Sequence, residues 1–275
     1  MSTEAKVVGH YTRGRLEEAI LEAVAQERED SANLTVGDLA AVDEFHLGGF
    51  EETQQLAAQM ELRPGLRLLD VGSGIGGPAR YFAADHGCNV IGIDLTEEFV
   101  QVATSLTRLV KLQHLVEFRL ASAVALPFKA ETFDRACMIH VGMNIADKVG
   151  VYRELRRVLK SGGLFLVFDV MRTAHSPIRY PVPWALSQET SFVAEVKDYR
   201  DALQKAGFGL VHECGRRAFA IEFTERVMAR GAQGGPPALG LHLLMGDQAP
   251  VMVKNLLSMM QEGVLEPVEL CAIAV

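Results

Sequence analysis

The sequence has few of the features on which disulfide-bonded, metal-binding and membrane-spanning proteins depend. Its 275 residues include four cysteines, which are widely separated and form no Cys-x-x-Cys pair. Each cysteine stands in or next to an apolar, strand-like stretch, which favours reduced core thiols over disulfides or a metal site. No apolar run reaches the roughly 18–20 residues that cross a bilayer, and the N-terminal segment has no apolar signal core. We therefore expect a soluble, cytoplasmic protein without a metal ion.

The sequence also lacks an excess of positive charge. It has 27 lysines and arginines against 35 aspartates and glutamates, for a formal net charge of -8. A chain of that sign repels polyphosphate, which argues against nucleic acid or an anionic membrane surface as a partner. Hydrophobic residues form 49% of the chain, which is enough to bury a sizeable core. The partner that we expect is a small molecule.

Short apolar runs alternate with amphipathic helices in the middle of the chain. The runs at 66–71, 89–94, 115–120, 133–139 and 163–170 predict strands, and the stretches at 78–85, 97–111 and 148–159 predict helices. This alternation is typical of a parallel sheet that helices cover on both faces. It predicts a doubly wound α/β core over residues 64–170. A helix at 194–206 and strands at 208–214 and 268–275 are predicted to follow.

The segment before this core is predicted to be a helical lid, residues 1–63. Within it, residues 13–28 place Leu16, Ile20, Leu21 and Val24 at helical spacing, with charged residues on the opposite face. Residues 64–275 are predicted to form one domain, with insertions on the acceptor side at about 171–193 and 217–264. The second insertion is rich in helix-forming residues.

The strongest chemical signal is the glycine-rich stretch LLDVGSGIGG at 68–77. A predicted strand ends at its aspartate, and the glycines that follow allow a tight turn into a helix. A ligand can then lie against main-chain N–H groups at the helix N-terminus. The candidate binding residues of this turn are Asp70, Gly72, Ser73, Gly74 and Gly76. The stretch also fits the Gly-x-Gly-x-x-Gly pattern of dinucleotide-binding folds, so the glycines alone leave both ligand classes open.

Asp70 favours S-adenosylmethionine over a dinucleotide such as NAD. A carboxylate directly before the glycines would repel a pyrophosphate, whereas it suits the ammonium and sulfonium charges of S-adenosylmethionine. Asp94 ends the next predicted strand, where a carboxylate can accept hydrogen bonds from the ribose diol of either cofactor. Asp94 and its neighbour Leu95 are therefore further candidate cofactor-binding residues.

Five motifs, taken in order, resemble those of class I small-molecule methyltransferases. They are LLDVGSGIGG (68–77), VIGID (90–94), ALPF (125–128), FDRACMIHV (133–141) and LRRVLKSGGLFLVFDV (155–170). The resemblance implies a Rossmann-like fold with a seven-stranded, mostly parallel sheet, and VELCAIAV at 268–275 would supply its antiparallel last strand. It also implies S-adenosylmethionine as the cofactor and S-adenosylhomocysteine as the product.

The sequence is more narrowly similar to the phosphoethanolamine and sarcosine/dimethylglycine N-methyltransferases. Their N-terminal tyrosine corresponds to Tyr11, and their glycine pair corresponds to Gly48-Gly49, shortly after His46. The phosphoethanolamine enzymes carry a histidine after the fourth strand, where MIHV places His140. The resemblance implies that His140 and Tyr11 are catalytic and that His46 contacts the amino-acid end of the cofactor. A structural histidine and a surface aromatic are the alternative interpretations of His140 and Tyr11. For His46 the alternative is a loop-capping role.

Two departures from that group bear on the ligands. Its acidic residue after the third strand, which accepts a hydrogen bond from adenine, is absent here, so Ser122 and Ala123 are the candidates for that contact. An ungapped comparison places Glu189 and Ser191 where the phosphoethanolamine enzymes hold phosphate with an arginine and a tyrosine. A phosphate ester is therefore disfavoured as the substrate.

We expect methyl transfer to an N or O atom of a small-molecule acceptor, with a homodimer as an option. A C-methyltransferase acting on a quinone-like ring is the nearest alternative, because the same motifs serve both reactions. Two further alternatives are an NAD-dependent oxidoreductase and a module that binds the cofactor without catalysis. Trp184 lies in a proline-rich stretch and is a candidate either for the wall of an acceptor pocket or for core packing.

Overall fold

A seven-stranded sheet with helices on both faces organises the structure, a computed structural model that describes residues 2–27, 33–235 and 237–275. Its strands are β1 (Arg67–Val71), β2 (Asn89–Asp94), β3 (Val116–Leu120), β4 (Phe133–Ile139), β5 (Leu159–Arg172), β6 (Phe208–Gly215) and β7 (Leu265–Ala274). They lie in the order β3-β2-β1-β4-β5-β7-β6, and β7 runs antiparallel to both of its neighbours. This confirms the predicted doubly wound, mostly parallel sheet with an antiparallel last strand.

The helices lie before, between and after the strands. They are α1 (Thr3–Tyr11), α2 (Leu16–Glu27), α3 (Val36–Asp43), α4 (Gly49–Gln59), α5 (Gly77–His86), α6 (Glu97–Leu109), α7 (Lys148–Val158), α8 (Val196–Lys205), α9 (Arg217–Gly234), α10 (His242–Met245) and α11 (Ala249–Gln261). Helices α5, α6 and α7 each connect two parallel strands, as parallel pairing requires. No helix within the described ranges is long and apolar enough to cross a membrane.

The predicted elements agree with the observed ones, with a few differences. Strands β2 and β4 have the predicted bounds. Strand β5 continues past the predicted end because β7 pairs with it residue by residue from Leu164 to Arg172. Helix α1 was not predicted from the sequence. Residue 28, the last of the predicted helical stretch at 13–28, lies outside the described residues.

Alternate residues of the central strands pack on opposite faces of the sheet. Leu69 of β1 and Phe165 of β5 belong to one apolar cluster, whereas their chain neighbours Leu68 and Leu166 belong to another. All four side chains are fully buried. Because helices cover both faces, a ligand can approach the parallel strands only at their carboxyl edge, where the chain leaves each strand.

Helix α2, which the sequence predicts as part of a lid, packs into the scaffold. Its residues Leu16, Ile20 and Val24 are at most 3% exposed, and they pack against α3 and α6. Leu21 is 37% exposed, because it lies about 100° around the helix from its neighbour Ile20. The apolar stripe of α2 is thus permanently buried, and the segment that lies over the site is α1.

A buried ion pair joins α3 to α5. Arg80 has no exposed side-chain surface, and its Nη2 donates to Oδ1 of Asp43 at 2.7 Å and to the carbonyl oxygen of Ile75 at 2.7 Å. Burial raises the pKa of Asp43 to about 6, although the charge of Arg80 opposes that rise. The ion pair holds α3, which precedes β1, against α5, which follows β1.

Two adjacent glycines allow α9 to pack against the start of α4. Gly48 has a φ of 92°, and a Cβ atom there would lie 2.8 Å from a ring carbon of Phe219. A Cβ atom at Gly49 would lie 2.9 Å from the ring of Phe223. Side chains at these positions would displace α9, so the glycine pair seen in the sequence serves helix packing.

We expect Asp43→Ala to lower the free energy of unfolding by about 3–5 kcal/mol, because it leaves the charge of Arg80 buried without its partner. Urea unfolding followed by circular dichroism would measure the loss. The matched control is Asp201→Ala, which removes the exposed partner of Lys197 at 2.8 Å. That control should cost less than about 1 kcal/mol, since exposed pairs stabilise little. Equal losses of unfolding free energy in the two variants would contradict the larger contribution expected of the buried ion pair.

Candidate active site

A cavity of about 250 Å³ opens at the carboxyl ends of β1, β2 and β4. It gathers residues that are far apart in the sequence. Every predicted site residue except Gly76 lines this cavity: Tyr11, His46, Asp70, Gly72, Ser73, Gly74, Asp94, Leu95, Ser122, Ala123 and His140. Gly76 is the N-cap of α5, with a φ of 90°, and it packs against the ring of Phe118. It therefore shapes the turn without facing the cavity.

The glycine-rich turn presents open main chain to the cavity. The N–H groups of Gly72 and Ser73 donate to the carbonyl oxygen of Ile93 at 2.8 and 2.9 Å, which ties the turn to the end of β2. Gly74 has a φ of 53°, and a Cβ atom there would meet no described atom within 4 Å. The space above Gly74 is therefore available to a ligand, and its backbone conformation favours glycine.

Asp70 brings an unpartnered carboxylate oxygen to the cavity. Its Oδ1 accepts the Sγ–H of Cys137 at 3.4 Å, whereas its buried Oδ2 has no hydrogen-bond partner among the described residues. Burial raises the pKa of Asp70 to about 7, and the nearby charge of Asp94 adds to the rise. A cationic group placed beside this oxygen would stabilise the ionised form.

Asp94 is held by the backbone around it. Its Oδ2 accepts the N–H of Gly74 at 3.0 Å, and its Oδ1 accepts the N–H of Thr96 at 2.8 Å. Burial raises the pKa of Asp94 to about 6, and these two hydrogen bonds oppose the rise. The carboxylate is thereby fixed in orientation at the edge of the cavity, with lone pairs left for hydroxyl donors.

His46 belongs to a buried polar cluster with Glu44 and Thr53. Its Nε2 lies 2.8 Å from Oε2 of Glu44 and 3.0 Å from the Thr53 hydroxyl. Burial opposes the charged imidazole, but the hydrogen bond and the charge of Glu44 raise the pKa of His46. Both ring nitrogens are engaged, because Nδ1 lies 3.2 Å from the carbonyl oxygen of Leu47. His46 therefore helps to build the wall, and its contacts with Glu44, Thr53 and Leu47 hold the ring in place.

His140 offers a free nitrogen at the end of β4. It has a φ of 55°, and its backbone N–H donates to the carbonyl oxygen of Phe168 at 2.7 Å. Its Nε2 is shielded from solvent and has no partner in the part of the chain that the structure describes. Burial lowers the pKa of His140 well below its usual value, and the charge of His46, whose ring centre is 5.9 Å away, lowers it further. The imidazole is therefore neutral, and one of its nitrogens can accept a proton.

Helix α1 lies across the mouth of the cavity and touches several of its walls. The hydroxyl of Tyr11 donates to Oδ1 of Asn144 at 3.0 Å, and Nε2 of His10 lies 2.9 Å from the carbonyl oxygen of Pro183. The hydroxyl of Ser122 donates to Oε1 of Glu4 at 2.6 Å. Tyr11 and His140 thus line the same cavity, and the hydroxyl of Tyr11 bonds to Asn144.

Glu4 and Asn144 are wall residues that sequence reasoning missed. Both line the cavity, and both bond to predicted site residues. A signal for Glu4 was present, because Ser2 is an N-cap whose hydroxyl accepts the N–H of Ala5 at 3.2 Å. Asn144 follows His140 in a short 3₁₀ turn, Gly142–Asn144, which no pattern in the sequence indicates.

A second cavity, of about 100 Å³, adjoins the first. The two share Phe45, His46 and His140. The remaining wall comes from the two insertions predicted at 171–193 and 217–264: Pro183, Trp184, Phe223, Thr224, Val227, Leu241, Met245, Val253 and Leu256, with Leu47 from the N-terminal region. Trp184 is 2% exposed, so it is both packed and part of this wall. Within residues 2–27, 33–235 and 237–275, no group of three or more His, Cys, Asp or Glu side chains is placed to hold a metal ion.

The comparison with known families identifies the core of the chain. Residues 69–167, from β1 to β5, match the model of the methyltransferase domain family. This part of the chain is therefore similar to methyltransferase domains. The matched stretch includes the glycine-rich turn, Asp94 and His140, so the family match and the geometry of the cavity point to the same residues.

Curated relatives of the methyltransferase domain carry out more than one kind of methylation. The sterol 24-C-methyltransferase of Aspergillus fumigatus is 32% identical over 57% of this chain and 43% of its own length. The phosphoethanolamine N-methyltransferase 1 of Triticum aestivum is 32% identical over 58% of this chain and 32% of its own length. The chain therefore spans less than half the length of these relatives. The similarity to these methyltransferases confirms the resemblance that the motifs indicated.

One solved structure is similar over most of the chain. The [4+2]-cyclase SpnF is 25% identical, with a TM-score of 0.65, over 81% of this chain and 80% of that chain. A cyclase is named for ring formation. The shared fold therefore does not by itself indicate the reaction, and the function must be argued from the site.

We expect Asp94→Ala to weaken the binding of S-adenosylhomocysteine by about one to two orders of magnitude, since a charged acceptor for a ribose diol is worth roughly 1.5–3 kcal/mol. Isothermal titration calorimetry measures the change. Asp134→Ala is the matched control, because Asp134 lies near the start of β4, outside the cavity, where it pairs with Lys160. Unchanged affinity for S-adenosylhomocysteine in a folded Asp94 variant would show that Asp94 does not bind the cofactor.

Proposed function

We propose that this protein transfers the methyl group of S-adenosylmethionine to an N or O atom of a small-molecule acceptor. The observation that carries the proposal is the buried Oδ2 of Asp70, which has no partner among the described residues and belongs to the same cavity wall as the open main chain of Gly74. That pair suits a cationic cofactor and opposes the pyrophosphate of NAD. The cytoplasmic location and the homodimer predicted from the sequence stay predictions.

The residues of the larger cavity divide between holding the cofactor and serving the acceptor. Asp94 would accept hydrogen bonds from ribose, and Asp70 would face the positive charges of the cofactor. Bound S-adenosylmethionine supplies a methyl group already activated by its sulfonium, so the protein mainly orients the acceptor and excludes water. His140, with its neutral imidazole and free Nε2, takes the proton that the acceptor loses.

We propose further that the lid of this site is α1. Four contacts support this proposal: Tyr11 with Asn144, His10 with the Pro183 carbonyl, Glu4 with Ser122, and Lys6 with Glu189 at 2.7 Å. They connect one short helix to the loops after β3, β4 and β5. The helix exposes most of its residues and buries Val7 alone among its side chains, so its docking depends on these polar contacts. Their modest number suits a segment that closes on ligands and opens between turnovers.

C-methylation of a quinone-like ring is a second candidate. The apolar wall formed by Trp184, Phe223 and Met245 supports it, because such a wall suits a ring without charged groups. A fungal relative is named for C-methylation of sterols. Both reactions use the same cofactor, so the methylated product distinguishes them.

We expect His140→Ala to lower turnover by about 100- to 10,000-fold while changing cofactor affinity little, since general bases contribute factors of that size to the rate alone. Turnover is measured as transfer of labelled methyl from S-adenosylmethionine to amine, phenol and quinone acceptors. Calorimetry with S-adenosylhomocysteine and with NAD supplies the affinities. The control is His175→Ala, whose side chain is 91% exposed.

Three results would contradict the proposed function or the role of His140. Binding of NAD in preference to S-adenosylhomocysteine would replace the proposed function with oxidoreduction. Full turnover by the His140 variant, together with lost cofactor affinity, would make His140 a cofactor-binding residue. Cofactor binding without methyl transfer to any acceptor class would favour a binding module or a cyclase.

We expect deletion of residues 1–12 to abolish turnover and to leave the fold intact, because the buried face of α2 begins at Leu16. Trypsin tests closure in the full chain, since Arg13 and Arg15 are exposed between α1 and α2. Cleavage there should slow when S-adenosylhomocysteine is bound. Equal cleavage with and without ligand, together with full turnover of the truncated protein, would make α1 part of the scaffold.

A further inference from the structure

The wall of the smaller cavity carries no free charge. None of its described lining residues is a lysine, arginine, aspartate or glutamate. The charge of His46 is matched by Glu44, whose Oε2 lies 2.8 Å from it. A ligand in this cavity therefore meets aromatic rings, aliphatic side chains and methionine.

The polar side chains of this wall are already bonded, with one exception. The Thr224 hydroxyl donates to the carbonyl oxygen of Ala220 in its own helix at 2.7 Å. The Trp184 Nε1–H donates to the hydroxyl of Ser191 at 3.0 Å, and both nitrogens of His46 are engaged. Nε2 of His140 is the exception among the described residues of the wall.

Three side chains from the segments that follow β4 and β5 are also engaged. Glu189 pairs with Lys6, and Ser191 accepts from Trp184. The ammonium of Lys148 donates to the carbonyl oxygens of Ile145 and Phe192, both at 2.9 Å. An ammonium or a phosphate placed in the cavity would lose its water and gain no opposite charge, which is strongly unfavourable.

We propose that the acceptor is an uncharged, largely apolar molecule whose reacting group is a hydroxyl that donates a hydrogen bond to Nε2 of His140. This inference rests on the proposed function. A lone pair of the hydroxyl oxygen forms the new bond to the methyl carbon, and the carbon–sulfur bond breaks with its electron pair going to sulfur. The hydroxyl proton goes to Nε2 of His140, so the products are a methyl ether and S-adenosylhomocysteine.

The volume of the smaller cavity limits the apolar group that it can enclose. A dry cavity of about 150 Å³ holds benzene, so one of about 100 Å³ suits a short alkyl chain or part of a ring. Val227 lies on the wall and is 49% exposed. A longer acceptor can therefore extend past Val227 toward solvent.

Trp184 provides a direct probe, because it is the one tryptophan of the sequence and lies in the wall. The experiment titrates the complex with S-adenosylhomocysteine and follows tryptophan fluorescence. The probes are 4-propylphenol, 4-propylbenzylamine and 4-propylphenyl phosphate, which share a body and differ in charge. We expect the phenol to bind at least about tenfold more tightly than either charged probe. Mass spectrometry with S-adenosylmethionine should then detect the methyl ether of the phenol.

A charge at the edge of the wall should weaken binding of the neutral probe. Val227→Asp is expected to raise the dissociation constant of 4-propylphenol by about fivefold or more, because the new carboxylate must lose water or hold the probe away. Met228→Asp is the matched control, since Met228 is the next residue of α9, is 42% exposed and does not line the cavity. Calorimetry should give both variants the cofactor affinity of the unchanged protein.

The outcomes separate this inference from the proposed function. Tighter binding of the amine or the phosphate, or no saturable binding of the phenol, would overturn the inference while cofactor binding stands. A methyl group on a ring carbon would overturn the hydroxyl assignment. Failure to bind S-adenosylhomocysteine at all would overturn the proposed function itself.

Discussion

The turn from β1 into α5 is the constraint on which the rest of the site depends, because the loop after β4 and helix α3 approach two of its glycines too closely for a side chain. A Cβ atom at Gly72 would overlap the side chain of Val141, which follows β4. At Gly77 it would lie 2.6 Å from the carbonyl oxygen of Asp43, the last residue of α3. The glycines thus set how closely α3 and the loop after β4 approach the sheet, and this approach brings His46 and His140 together.

Buried acidic groups surround that turn. Burial raises the pKa of both Asp70 and Asp169 to about 7. Asp169 has a structural task, since its Oδ1 accepts the N–H groups of Val141 and Gly142 at 2.9 and 3.2 Å and so holds the loop after His140. Asp70 has no comparable backbone partner among the described residues. Because of this difference in hydrogen bonding, Asp169 supports the loop, whereas Asp70 is available to a cationic ligand.

The two cavities differ in the charged groups of their walls. Carboxylates share the wall of the larger cavity with main-chain groups and apolar side chains, whereas the smaller cavity has no Asp, Glu, Lys or Arg among its described lining residues. His140 belongs to both, and its neutrality follows from its burial and from the charge of His46 nearby. A proton acceptor at the boundary between a charged and an apolar compartment is suited to a reaction in which the acceptor loses a proton.

The sequence by itself determined the sheet and the glycine-rich part of the larger cavity. Strand periodicity and the glycine-rich turn are local features, and Asp70 and Asp94 stand directly at the ends of β1 and β2, so their positions follow from the chain order. Only the tertiary structure decided which helix covers the larger cavity and which side chains line the smaller one. Helices α2 and α9 are both amphipathic in sequence, and long-range packing alone buried Leu16 and Ile20 in the scaffold and left Phe223 facing a cavity. Contacts such as Ser122 with Glu4 join residues far apart in the chain, and no local pattern encodes them.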